Sequence, residues 1–147
     1  MEYKNLVKDF AERTRSNLEL VRSVAKTDGE AYEVTQLINS MLGLLVFPEQ
    51  EFYEKISEIK LADLKKEGWP IPRVRGNYTD VSNLKQLARY LRNGIAHFNL
   101  RFTETGGYID GLIIWNVPPN GEKNWEAELK IEELGGITDK FTKLLLK

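Results

Sequence analysis

The chain has 147 residues, 41% hydrophobic and 29% charged, with a formal net charge of −1, one histidine and no cysteine. That length suits one domain with its own core. The absence of thiols rules out disulfides, thiolate zinc sites and a cysteine nucleophile, and a lone imidazole rules out a histidine-rich metal site within one protomer.

The opening Met1-Glu2-Tyr3-Lys4 lacks an apolar signal-peptide core. The longest apolar run, Met41 to Phe47 with Gly43 inside it, is too short to span a bilayer. A soluble, cytoplasmic protein with no membrane partner is expected.

Leu6, Phe10, Thr14, Leu18, Val21 and Ala25 recur at three- and four-residue steps and predict a long amphipathic helix. Thr27-Asp28-Gly29-Glu30 fits a capping box. It introduces a second helix from about Glu30 to Phe47, stopped by Pro48. Val34, Leu37, Ile38, Met41, Leu42, Leu44 and Leu45 wrap most of its circumference, so it reads as central and buried, with Thr35, Gln36 and Asn39 in need of partners. A short helix is expected over 48–57, and another from Leu61 to Glu67, ended by Gly68.

Trp69-Pro70-Ile71-Pro72 is a stiff extended connector, and 73–79 reads as an exposed loop. A long helix follows from about Asp80 to Phe98. Periodicity then changes to alternation: Leu100–Thr105, a Gly106-Gly107 turn, and Tyr108–Val117 predict two strands. After Pro118-Pro119-Asn120-Gly121, Trp125, Ala127, Leu129 and Ile131 alternate with Glu126, Glu128 and Lys130, a half-buried third strand. Ile137, Phe141, Leu144 and Leu145 suggest a closing helix whose start Gly135-Gly136 weakens. The expected fold is mainly α, of α+β class: one domain over 1–147, with a helical bundle (about 1–98 plus 132–147) carrying a three-stranded antiparallel meander (about 100–131).

Chemistry concentrates in Arg92-Asn93-Gly94-Ile95-Ala96-His97. Imidazole is the side chain whose unperturbed proton equilibrium lies near neutrality, and guanidinium is a natural partner for phosphate. At about 100° per residue, Leu84, Leu87, Ala88, Leu91 and Ile95 share an apolar face, while Lys85, Arg89, Arg92, Asn93 and His97 fall opposite. Arg92 and His97 sit roughly 140° and 7.5 Å apart along the axis, bordering one surface without touching. Residues 71–101 carry a net +5, against −3 on either side of them, which by charge alone favours a solvated helix face over a localised polyanion site. Arg73, Arg75 and Arg101 extend this basic stretch.

Cleavage of RNA through its own 2′-hydroxyl needs a base for that proton, an acid for the leaving 5′-oxygen and a cation for the phosphorane. One histidine does not readily serve both ends of an in-line displacement. Two identical helices about a two-fold axis would supply two arginines, two asparagines and two histidines. Other readings compete: His97 as a helix-end residue near terminal carbonyls, Arg92 in a surface ion pair. Trp69, Tyr78, Tyr90 and Phe98 could stack on bases, with Trp69 and Phe98 expected in the core instead.

Arg92 and His97 with four residues between them, and polar Asn93 directly after the arginine, resemble the catalytic motif of HEPN-domain ribonucleases. Tyr32 to Ser40, Phe47-Pro48 and Gly68-Trp69-Pro70-Ile71-Pro72 also look like small stand-alone HEPN proteins of bacterial plasmids and mobile elements. The resemblance implies a HEPN-like bundle and a dimeric, metal-independent endoribonuclease of toxin or phage-defence type. It makes Arg92 and His97 catalytic and Asn93 supporting, with no cofactor. Lys85, Arg89, Arg73, Arg75 and Arg101 are the expected RNA contacts. The alternatives are a non-catalytic RNA-binding or protein-pairing dimer, and the toxin half of a pair silenced by an antitoxin or nucleotidyltransferase-like partner.

Overall fold

A computed structural model of the chain describes residues 6–25, 33–45, 56 and 58–146. Its elements run α1 (Leu6–Ala25), α2 (Glu33–Leu45), α3 (Leu61–Lys66), β1 (Arg73–Val74), α4 (Leu84–Ala96), β2 (Leu100–Thr105), β3 (Tyr108–Asn116), β4 (Trp125–Lys130) and α5 (Ile131–Leu146). The capping box at Thr27–Glu30 and the short helix expected over 48–57 fall outside the described residues, except that Ile56 is buried.

The core forms where the apolar stripes of four helices meet one face of a sheet. α1 contributes Ala11 and Leu18, α2 contributes Leu37, Met41 and Leu44, and α4 contributes Leu84, Leu87, Ala88, Leu91 and Ile95. α5 adds Leu134, Ile137, Phe141 and Leu145, and the sheet adds Leu100, Leu112, Ile114, Trp125, Ala127 and Leu129. The strand residues alternate along each strand, because successive side chains point to opposite faces. The 3.6-residue period does the same work in the helices. This is the expected α+β class.

The sheet has four strands rather than three. All pair antiparallel in the order β1-β4-β3-β2. The additional strand comes from the segment expected to be loop: Arg73 pairs with Glu128 and Val74 with Ala127. Two residues carry no usable alternation signal by themselves, and only the free edge of β4 gives their backbone groups partners. In register, Leu100, Ile114, Ala127 and Val74 form a row on the core face, and Arg101, Ile113, Glu128 and Arg73 form a row on the outer face.

Two boundaries and one exposure differ from the sequence reading. Residues 80–83 are extended instead of helical: Leu61 donates its N–H to the Ser82 carbonyl and Leu84 donates to that of Ile59. Asn83 then caps α4, its Oδ1 accepting from the Gln86 N–H at 2.9 Å. The closing helix starts at Ile131 and runs straight through Gly135 and Gly136. Glu133, at the third helical position, accepts the Lys130 N–H at 2.9 Å and so caps the strand-to-helix switch. The glycines leave space for neighbours: a Cβ at Gly135 would lie 2.7 Å from Nη2 of Arg22, and one at Gly136 would lie 2.8 Å from Cγ of Pro70. Finally, two of the polar residues of α2 face solvent instead of needing partners inside the protein. Thr35 and Asn39 are exposed, and Gln36 donates to the Ser40 hydroxyl at 3.4 Å.

Candidate functional site

α4 carries Arg92, Asn93 and His97, and its C-terminal end is fastened to the sheet at several points. Gly94 is buried against β3, where a Cβ would come within 2.5 Å of Cγ1 of Ile114. Only glycine lets the helix backbone approach the strand this closely. Asn93 Nδ2 donates to Asn116 Oδ1 at 3.0 Å, and Asn116 Nδ2 donates to Asn124 Oδ1 at 2.8 Å. Asn116 is 2% exposed, so this amide chain satisfies polar groups that would otherwise be stranded in the core. The Trp115 N–H donates to the Asn99 carbonyl at 3.0 Å, joining the chain just past the helix to β3 as well.

The helix ends in a Schellman cap. His97 N–H donates to the Asn93 carbonyl at 3.1 Å, Phe98 N–H to that of Ile95 at 3.1 Å, and Asn99 N–H to that of Gly94 at 2.7 Å. His97 is the residue at the helix end, and its imidazole is exposed. Among the described residues it accepts and donates no side-chain hydrogen bond. The backbone beneath it is thus held from several directions while the ring itself faces outward. Arg92 lies one and a half turns earlier, half-buried, with its Nε covered by protein. Its guanidinium is partly enclosed, unlike that of Arg89, which is exposed.

The expected RNA-contacting cations separate into two groups. Lys85 and Arg89 lie on α4 with Arg92, and neither makes an ion pair among the described residues. Arg73, Arg75 and Arg101 lie instead on the outer face of the sheet, away from the face against which α4 packs. There Arg73 and Arg75 meet carboxylates. Arg73 Nη1 bonds Glu133 at 2.8 and 3.1 Å, and Arg75 Nη1 bonds Glu126 at 3.4 Å. Glu126 is held below the usual carboxylate range, first by its hydrogen bond from Lys123 and also by the charges of Lys123, Arg75 and Arg101. The basic stretch seen in the sequence is therefore half neutralised once folded.

The aromatics also divide. Trp69 is 8% exposed and meets Phe141 edge-on at 5.1 Å, as expected for core. Tyr90 packs on Trp125 at 5.2 Å and accepts from Gln86 Nε2, which removes its face from solvent. Tyr78 is 36% exposed. Phe98, expected in the core, is 68% exposed. The left-handed backbone at that position turns its side chain out of the apolar stripe, a change that periodicity cannot report.

Among the described residues no group of three or more His, Asp or Glu is placed to hold a metal. Two clefts lie where α1 meets α5, lined by Arg22 and Asp139, and neither includes Arg92, Asn93 or His97. No described helix is long and apolar enough to cross a membrane. A family model described as HEPN pEK499 p136 matches residues 1–147. No curated protein and no solved structure gives a match.

Proposed function

The chain belongs to the HEPN pEK499 p136 family, and from that membership we propose that it is a metal-independent endoribonuclease whose active site is composed between two copies of α4. The observation that carries this reading is the placement of His97: exposed, at a helix end braced by the sheet, on the same helix as Arg92. One protomer offers one imidazole. A second copy about a two-fold axis supplies the other, so that one acts as base and one as acid.

The reaction takes the 2′-hydroxyl proton onto one His97 as O2′ attacks phosphorus. The bond from phosphorus to O5′ breaks, and the His97 of the other copy protonates the departing 5′-oxygen. Arg92 donates to the non-bridging oxygens, where negative charge accumulates. Products carry a 2′,3′-cyclic phosphate and a 5′-hydroxyl. Asn93 serves as a positioning residue, since its amide is committed to Asn116. Lys85 and Arg89 draw the substrate backbone to the site. The cellular role is that of a toxin or phage-defence effector in the cytoplasm, held in check by an antitoxin or a nucleotidyltransferase-like partner.

The test incubates purified dimer with RNA and compares wild type, His97→Ala and Arg92→Ala. Cleavage falls by at least a hundredfold in both variants, survives chelator, and stops when the cut nucleotide is 2′-deoxy. Wild-type cleavage by His97→Ala removes the assignment. A second reading, a dimer that binds RNA without cutting it, draws on the imidazole having no orienting hydrogen bond among the described residues. It predicts salt-sensitive binding with no new RNA ends.

A further inference from the structure

Phe98 combines features that do not ordinarily occur together. It follows His97 directly and occupies the left-handed position of the Schellman cap, with φ 54°, alone among the described non-glycine residues in having positive φ. That position usually holds glycine, because a Cβ crowds the following carbonyl oxygen there. The ring is 68% exposed, so packing inside the protomer does not offset the strain. Strain of this kind persists where the surroundings impose it and marks functional positions. Earlier on the same helix, Lys85 and Arg89 make no ion pairs among the described residues.

We propose that Phe98 is a specificity-determining residue whose ring stacks on the nucleobase next to the phosphate held by Arg92 and His97. The proposal rests on the RNA reading above and adds the base-binding subsite to it. An exposed aromatic face directly after His97, at the end of the helix that carries Arg92, suits a nucleotide, which brings a π surface and a phosphate at fixed separation. Stacking tolerates any base but requires that a base be present.

The experiment uses full-length His97→Ala dimer as a non-cleaving trap and short oligoribonucleotides carrying an abasic nucleotide at each position in turn. Binding is followed by fluorescence anisotropy, with Phe98→Gly, Phe98→Ala and Phe98→Trp added to the trap. One abasic position weakens binding by about tenfold, within the range for a lost base–aromatic stack. Phe98→Gly weakens binding to intact RNA by a similar factor, the two losses do not multiply, and Phe98→Trp keeps the affinity. Phe98→Gly also melts about 2–4 °C higher, because the cap strain is relieved, which shows that the weakened variant is folded.

Unchanged affinity in Phe98→Gly, or losses that multiply with the abasic position, overturn the subsite. So does dissociation of the Phe98→Gly dimer with RNA affinity per protomer retained, which would make the ring a subunit anchor. If wild type cuts RNA while the Phe98 comparison is flat, this proposal alone fails. If Phe98-dependent binding holds while wild type leaves RNA uncut, only the nuclease assignment fails. Wild type that neither binds nor cuts RNA ends both.

Discussion

Asn93 on α4 and Asn116 on β3 share a hydrogen bond of 3.0 Å, and through it the helix bearing Arg92 and His97 is tied to the strand beneath it. Asn116 is almost fully buried, and its own amide goes on to Asn124. Asn116→Ala strands the donor of Asn93 and the acceptor of Asn124, and it is expected to lower stability by about 1–3 kcal/mol. Asn93→Ala is expected to cost less, because its side chain is only part-buried. A double-mutant cycle in urea should return a coupling of about 0.5–3 kcal/mol between them. Strict additivity would show that the contact carries nothing.

Gly94→Ala sets helix propensity against packing. Alanine favours the helix by about 1 kcal/mol, but its Cβ would lie 2.5 Å from Cγ1 of Ile114 and 3.1 Å from the Trp115 carbonyl oxygen. Overpacking of a core contact costs about 1–3 kcal/mol. Net destabilisation is expected, and the penalty of Gly94→Ala should be smaller when measured in an Ile114→Ala background, read from chemical denaturation midpoints. A more stable Gly94→Ala protein would refute the close approach.

Gly135 and Gly136 are neighbours in sequence and in one helix, yet their alanine variants should behave differently. At Gly135 the obstacle is the Arg22 guanidinium, the mobile end of a long side chain. Moving it sacrifices a part-exposed ion pair to Asp139 at 3.5 Å, a contact of about 0–1 kcal/mol, against a helix gain of similar size. The change should be near neutral. At Gly136 the obstacle is the rigid ring of Pro70, and the same substitution should lower the melting temperature.

Asp110 lies opposite Thr103 and Thr105 beside the irregularity in the β2–β3 pairing. Its carboxyl is held below its ordinary value of 3.8 by the hydroxyl of Thr103 first and that of Thr105 second. A depressed folded value means that the stabilisation is fully present above about pH 3.8 and is lost as pH falls through the folded value. Thr103→Val should raise the Asp110 titration midpoint in carboxyl carbon NMR, and Thr105→Val should raise it less. Glu126 should respond in the same sense to Lys123→Ala, since Lys123 is the first cause of its depression.

The two groups of cations should separate in the salt dependence of RNA binding. Each phosphate contact to a single strand adds about 0.7 to the slope of log K against log salt. Arg89→Ala should reduce the slope by about that amount. Arg73→Ala, whose guanidinium is already on Glu133, should leave it unchanged. Equal effects from the two would mean that the outer sheet face also contacts RNA.

Much of this molecule was legible before any coordinates. The apolar stripe of Leu84, Leu87, Ala88, Leu91 and Ile95 foretold which face of α4 is buried, and alternation from Trp125 to Leu129 foretold β4. The Arg92–His97 spacing and the two long helices pointed to the HEPN family, which the family match over 1–147 bears out. These are local patterns, set by residues a few positions apart along one element, and a chain displays them whatever it later packs against.

What tertiary structure decided is non-local. Arg73 and Val74 become a strand only because β4 offers an edge. Gly135 and Gly136 stay helical, with Arg22 and Pro70 filling the space that side chains would need. The basic stretch splits between α4 and the outer face of the sheet, where Arg73 and Arg75 are paired because Glu133 and Glu126 arrive from far along the chain. Phe98 turns outward because the cap puts its backbone in the left-handed region. Periodicity encodes which way a side chain faces on its own element, while pairing, crowding and charge compensation depend on partners that only folding brings near.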